Sequence, residues 1–217
     1  MLRETEIVLC YVTDRLSLPS GSPAGAAKSL AEIAARAAAA GVDWIQIREK
    51  DFSGGALFQL ASEILSHAAS ARVLVNDRLD VALAAGAAGV HLGGEGLPVS
   101  AVRASLGERG RRAFLVGKSC HSLDQALGAE TDGADYVFFG PVFATPSKLA
   151  YGAPQGIDRL AEVCRKISIP VVAIGGITPE NAAECIAAGA GGLAAIRFFQ
   201  QPGDLAARVA RLRAACA

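Results

Sequence analysis

Ala40-Gly41-Val42-Asp43-Trp44-Ile45-Gln46-Ile47-Arg48-Glu49-Lys50 reads as one complete joint: a helix end, a stop, a strand and a polar tip. Glycine just past the last helical turn adopts positive φ without a Cβ penalty, so Gly41 ends the alanine-rich helix before it. The run that follows alternates, which puts Ile45 and Ile47 on one face of a strand and Gln46, Arg48 and Lys50 on the other. With the isoleucines against a layer of helices, the polar set points into the mouth of a barrel. An ion-pair ring closing the barrel is the structural alternative for those charges.

The same punctuation recurs at Ala88-Gly89-Val90, Asp132-Gly133-Ala134-Asp135 and Ala188-Gly189-Ala190-Gly191. Short aliphatic runs predict strands at 7–12, 42–47, 72–75, 89–91, 113–117, 136–139, 170–174 and 193–196. Alanine-rich stretches between them predict helices near 26–40, 54–70, 78–85, 98–107, 122–132, 156–167, 179–188 and 203–215. Ser122 marks one helix start and Thr178-Pro179-Glu180 another, an N-cap followed by proline at the first helical position. Eight strand-helix units in 217 residues give about 27 residues each, close to a minimal βα repeat. No G-x-G-x-x-G turn follows Val12, so a doubly wound open sheet is disfavoured. The expectation is an α/β fold, a single (β/α)8 TIM barrel with a parallel eight-stranded core, residues 1–217 forming one domain.

Composition narrows the function classes. Lys and Arg total 21, Asp and Glu total 21, and 52% of residues are hydrophobic, so the chain is globular and carries no basic footprint for nucleic acid. Cys10, Cys120, Cys164, Cys185 and Cys216 are odd in number and form no CxxC pair, which suits reduced thiols rather than a disulfide framework or a zinc site. Acidic residues by position 6 and a short apolar stretch do not make a signal segment, and no run is long enough to span a membrane. A cytoplasmic protein is expected, with small-molecule partners, no nucleic acid and no membrane; homo-oligomerisation is left open.

In a barrel of this kind the loops after the strands carry the chemistry. Strand three ends Val75-Asn76-Asp77-Arg78, with Asn76 on the inward parity and Asp77 placed either to approach a metal or to cap the next helix. His91 and His121 fall near the ends of strands four and five, where a histidine is either structural or functional, whereas His67 lies mid-helix as a surface or packing residue. After strand six, Gly140-Pro141-Val142-Phe143-Ala144-Thr145-Pro146-Ser147-Lys148 offers two hydroxyls and an ammonium, a set that suits an anion unless the loop is merely solvated. Strand seven ends Ala173-Ile174-Gly175-Gly176-Ile177-Thr178, and strand eight ends at Ile196-Arg197. The turns after strands seven and eight recurrently bind phosphate. Two anion clusters result: Arg48, Lys50, Asn76 and Lys148 on one side, Gly175, Gly176 and Arg197 on the other. Asp77 with Glu95 could hold Mg²⁺, which takes one or two carboxylates and completes its shell with water or phosphate oxygens. Departure of diphosphate assisted by Mg²⁺ and cations is the reaction class that follows.

Tyr11-Val12-Thr13-Asp14, Gln46-Ile47-Arg48-Glu49-Lys50, Asn76-Asp77-Arg78, Gly89-Val90-His91-Leu92-Gly93, the 140–148 loop and Ala173-Ile174-Gly175-Gly176-Ile177 resemble, in order, the thiamine phosphate synthase and thiazole tautomerase family. The resemblance implies a transferase of thiamine biosynthesis that joins hydroxymethylpyrimidine diphosphate to thiazole phosphate and releases diphosphate. It implies that Gln46, Arg48, Lys50, Asn76 and Lys148 contact the pyrimidine diphosphate, that Asp77 holds Mg²⁺, and that Ser119 lies by the pyrimidine. It implies that Thr145, Ser147, Gly176 and the turn at Ile196 hold the thiazole phosphate. Two positions depart from the family pattern: Gly96 stands where a second metal-binding Asp is expected, leaving Glu95 nearest, and Arg197 stands where the synthase has Ser. Ser119-Cys120-His121-Ser122-Leu123 resembles the tautomerase, in which a histidine moves protons on the thiazole ring. Three readings stay open: synthase, tautomerase acting through His121, and a non-catalytic barrel that binds a thiazole or thiamine phosphate.

Overall fold

A computed structural model describes residues 7–18, 23–68, 70–107, 113–145 and 153–216. Eight parallel strands close into a barrel in sequence order: β1 Val8–Val12, β2 Trp44–Ile47, β3 Arg72–Asn76, β4 Gly89–Leu92, β5 Leu115–Cys120, β6 Tyr136–Phe139, β7 Val171–Ile174 and β8 Gly192–Ala195. The outer layer comprises α1 Pro23–Ala39, α2 Gly54–His67, α3 Leu79–Ala85, α4 Val99–Ser105, α5 Leu123–Thr131, α6 Gly156–Lys166, α7 Pro179–Ala187, a short α8 Arg197–Gln200 and α9 Leu205–Ala214.

Alternation divides each strand between two cores. Leu9, Tyr11, Ile45, Ile47, Val73, Val75, Val137 and Phe139 pack against the helices. Val8, Cys10, Val12, Trp44, Leu74, Tyr136, Phe138, Val172 and Ala194 fill the barrel interior. The interior is aromatic, with Trp44 edge-on to Tyr136 at 4.7 Å and the His91 ring 4.3 Å from that of Phe138. Glycine makes room for this: a Cβ at Gly117 would lie 2.1 Å from the Tyr136 ring. A barrel of eight strands has no spare interior volume, so large side chains on one strand require their absence on the next.

The repeated Gly-x-Asp joint has a physical purpose at the N-terminal end of the barrel. Asp43 accepts the Leu9 amide at 2.7 Å and Asp135 accepts the Val116 amide at 2.7 Å, each from the start of the preceding strand. Each carboxylate also pairs with an arginine of the helical layer, Asp43 with Arg213 at 2.8 Å and Asp135 with Arg103. Gly41 and Gly133, at φ of 94° and 91°, turn the chain into position for both.

Two expectations are corrected. The glycine that stops α3 is Gly86, at φ of 72°, not Gly89, which is the first residue of β4 and faces the Leu115 backbone so closely that a Cβ would be 2.3 Å from its carbonyl oxygen. Strand five runs over Leu115–Cys120 rather than 113–117, so Lys118 and Ser119 stand on the strand and not in the loop after it. Its polar outer half obscures the pattern because that half lines the barrel mouth.

Candidate active site

The tips of β1 and β2 are fastened by a carboxylate. Thr13 donates its hydroxyl to Glu49 Oε1 at 2.6 Å and accepts the Arg48 amide at 2.9 Å. Glu49 Oε2 accepts from the Arg15 amide at 3.2 Å and from its guanidinium at 3.3 Å. Arg15 is also paired with Asp51 and lies 4.6 Å over the Phe52 ring. Burial is the largest influence on Glu49 and lifts its pKa above the ordinary 4.5, against the contacts from Thr13 and Arg15. The knot sets Arg48, half-buried, and Lys50, exposed, on either side of Glu49 at the rim.

A second chain of contacts crosses from β2 to β4. Gln46 Nε2 donates to Asn76 Oδ1 at 2.8 Å, and Asn76 Nδ2 donates to Asp77 Oδ2 at 2.7 Å. Asp77 Oδ1 accepts the Gly93 amide at 2.7 Å. Asp77 does not cap the following helix; Arg78 occupies that position without a side-chain cap. Asp77 instead adopts φ of 58°, a left-handed conformation that aspartate tolerates at a cost of about 1 kcal/mol. Gln46 and Asn76 are both buried with inward parity, and Gln46 Oε1 has no partner among the described residues. A buried acceptor left open at the mouth is suited to a ligand N–H.

At the centre, His91 Nε2 meets Ser119 Oγ at 2.8 Å and His91 Nδ1 meets the Tyr136 hydroxyl at 3.1 Å. Burial, and then the charges of Lys118 and Arg48, push the His91 pKa down to about 3. The imidazole is therefore neutral near pH 7, with one ring nitrogen donating and the other accepting between Tyr136 and Ser119. His91 was recognisable by its strand-end position, but its partners on β5 and β6 were not.

The opposite rim is formed by the turns after β6 and β7. The Val142 amide donates to the Ile174 carbonyl at 2.9 Å and the Phe143 amide to the Gly175 carbonyl at 3.0 Å, continuing the pairing past the strands. Gly175 and Gly176 have φ of 100° and 70°, and a Cβ on Gly176 would lie 2.7 Å from that of Phe143. Asn181, at the start of α7, accepts the Thr178 amide at 2.9 Å and donates to the Gly176 carbonyl at 2.9 Å, fixing the turn. Thr145 stands half-buried at the end of the described loop; Ser147 and Lys148 lie outside the described residues.

The remaining predicted residues fall at the rim. Ile196 is the N-cap of α8 and Arg197 its exposed first residue. His121 is exposed, with Nδ1 against the Gly140 carbonyl oxygen and its amide on Gln125 Oε1 at 2.7 Å. Glu95 is exposed on the turn after β4. Among the described residues no three His, Cys, Asp or Glu side chains cluster to hold a metal. A Cβ at Gly96 would lie 2.4 Å from Asp77 Oδ1, so Asp77 fills the space a side chain there would need. A single carboxylate still fits Mg²⁺, whose remaining ligands come from water and phosphate oxygens.

A wall of cations and amides faces a wall of glycine turns at the C-terminal end of the closed barrel, and the chain as a whole has relatives among known proteins. The thiamine monophosphate synthase family model covers residues 18–199. This chain belongs to that family. The thiamine-phosphate synthase of Methanocella arvoryzae is 45% identical over 185 residues, covering 84% of this chain and 85% of that protein. That of Moorella thermoacetica is 42% identical over 191 residues, covering 87% and 89%. The solved thiamine phosphate pyrophosphorylase of Pyrococcus furiosus superposes with a TM-score of 0.82 at 31% identity, covering 97% of this chain and 95% of that one. A 3-hexulose-6-phosphate synthase, at 19% identity and a TM-score of 0.72, shares the fold.

Proposed function

We propose that this protein is a transferase that couples hydroxymethylpyrimidine diphosphate to thiazole phosphate and releases diphosphate, forming thiamine phosphate. The observation that carries the reading is the Gln46-Asn76-Asp77 chain lying beside Arg48 and facing the Gly175-Gly176 turn across the mouth, in a member of this family. The two walls suit two phosphorylated substrates. Gln46 Oε1, Ser119 and Asn76 orient the pyrimidine and the first phosphate. Arg48 and Lys50 balance the diphosphate charge and Gly176, Thr145, Ile196 and Arg197 border the thiazole phosphate; the resemblance adds Lys148 to the first set and Ser147 to the second.

The carbon-oxygen bond between the pyrimidine methylene and the diphosphate breaks with its electron pair on the leaving oxygen, and the thiazole nitrogen lone pair forms the new carbon-nitrogen bond. No protein base is required, so the residues contribute position and charge. Mg²⁺ held by Asp77 would add charge stabilisation to the departing diphosphate. Neutral His91 suits this role because it orients Ser119 without adding a cation beside a developing carbocation. The wall of cations has no task in a thiazole isomerisation, and His121 spends one ring nitrogen on a backbone carbonyl. Five free cysteines suit a cytoplasmic setting, where thiols stay reduced.

The test is diphosphate release from purified protein supplied with both substrates and Mg²⁺. Release that needs both substrates supports the coupling. Binding of thiazole phosphate without release in any combination would replace it with the tautomerase or a non-catalytic binder.

A further inference from the structure

Lys118 takes no part in the fold's two cores and was not among the residues the sequence singled out. It stands near the end of β5, half-buried, opposite Leu92 in the strand register and one residue before Ser119. Its ammonium donates to the Gly93 carbonyl at 2.7 Å and to the Gly94 carbonyl at 3.3 Å. The Gly93 peptide is thus gripped on both sides, its N–H by Asp77 and its C=O by Lys118. The Lys118 ammonium and the Asp77 carboxylate converge on the same turn.

The charge of Lys118 is not neutralised there. Carbonyl dipoles accept its hydrogens but carry no net charge, and among the described residues no carboxylate lies within ion-pair distance of it. Glu95, the neighbouring carboxylate on this turn, is exposed and forms no ion pair with Lys118 among the described residues, and Asp77 occupies the space a side chain at position 96 would need. After burial, the charges of Lys118 and Arg48 both push the His91 pKa down, so both cations lie on the His91 side of the mouth. An ammonium on a flexible stem, resting on carbonyls at the rim, can exchange them for phosphate oxygens at little cost.

We propose that Lys118 is a substrate-binding cation that contacts the diphosphate beside Asp77, so that the protein itself balances charge on the leaving group and binds it without metal. This rests on the coupling reaction proposed above. It adds a residue to that site and predicts metal-independent recognition of diphosphate. One charge-assisted hydrogen bond at a partly buried site corresponds to roughly ten- to hundred-fold in affinity.

The experiment is calorimetric titration of inorganic diphosphate into the full chain, in EDTA and in Mg²⁺, for wild type, Lys118→Gln and Lys118→Arg. Glutamine keeps a neutral N–H for the Gly93 carbonyl and removes the charge, which separates bracing of the turn from anion binding. Wild type should bind diphosphate in EDTA, Lys118→Gln roughly ten- to hundred-fold more weakly, and Lys118→Arg nearly as wild type. In turnover, Lys118→Gln should raise KM for the pyrimidine diphosphate and leave KM for thiazole phosphate unchanged. Equal diphosphate affinity in wild type and Lys118→Gln, or binding by wild type only when Mg²⁺ is present, would overturn the role of Lys118. So would a Lys118→Gln variant that loses thermal stability and affinity for both substrates alike. Failure of the coupling reaction itself would appear separately, as wild type that binds diphosphate but releases none from the two substrates.

Discussion

The Thr13 hydroxyl and the Glu49 carboxylate, from the tips of adjacent strands, meet at 2.6 Å in a buried contact that also collects the Arg15 guanidinium. Among the described residues, every group that hydrogen-bonds Glu49 is a donor. Glu49→Gln turns an amide NH₂ towards one of those donors and should destabilise the fold by about 1–3 kcal/mol, measured by urea denaturation. Burial raises the Glu49 pKa above 4.5, so the folded state holds this proton more tightly than the unfolded chain. Its contribution is complete below the unfolded pKa and is lost as pH rises through the folded pKa. Wild type should show that decline above pH 4.5 and Glu49→Gln should not; parallel profiles would count against it.

His91 makes the opposite contribution. Its folded pKa, about 3, lies below its ordinary 6.5, so the unfolded chain takes up a proton that the buried ring refuses. Stability should fall as pH drops from 6.5 towards 3, by up to about 1.4 kcal/mol per pH unit. His91→Gln should flatten that slope in denaturation curves at pH 4, 5, 6 and 7. A slope unchanged in the variant would place the pH dependence elsewhere.

Much of this was legible in the sequence. Parity alone put Gln46 and Asn76 inside the barrel, because a two-residue period leaves no third choice once Ile45 and Ile47 face the helices. Strand five was displaced because Gly117-Lys118-Ser119 trades the apolar signature of a strand for the polarity of the mouth. Glu49 and Lys118 carry no sequence signal for a different reason: their partners, Thr13 and Gly93, lie 36 and 25 residues away, and no spacing rule brings them together. Ser147 and Lys148, prominent in the sequence, fall outside the described residues.

The N-terminal end of the barrel should answer to stability and not to turnover. Asp135→Ala removes an ion pair with Arg103 and leaves the Val116 amide without its acceptor. A loss of about 1–3 kcal/mol is expected in urea denaturation, with kcat/KM of the folded variant unchanged. A loss of turnover without a loss of stability would contradict the division.

Gly117→Ala should be among the most damaging small substitutions. The added methyl would sit 2.1 Å from the Tyr136 ring, within a wall that also holds Trp44 and Phe138. Overpacking costs about 1–3 kcal/mol or more, and Tyr136→Leu in the same chain should recover part of it. Additive losses in the double variant would show that the two positions do not compete for space.

The central claim is tested most directly by weighing the product. Purified protein incubated with hydroxymethylpyrimidine diphosphate, thiazole phosphate and Mg²⁺ should yield, by mass spectrometry, thiamine phosphate in a one-to-one ratio with released diphosphate. Diphosphate accompanied only by free hydroxymethylpyrimidine, or an isomerised thiazole phosphate with no diphosphate, would contradict the coupling reaction.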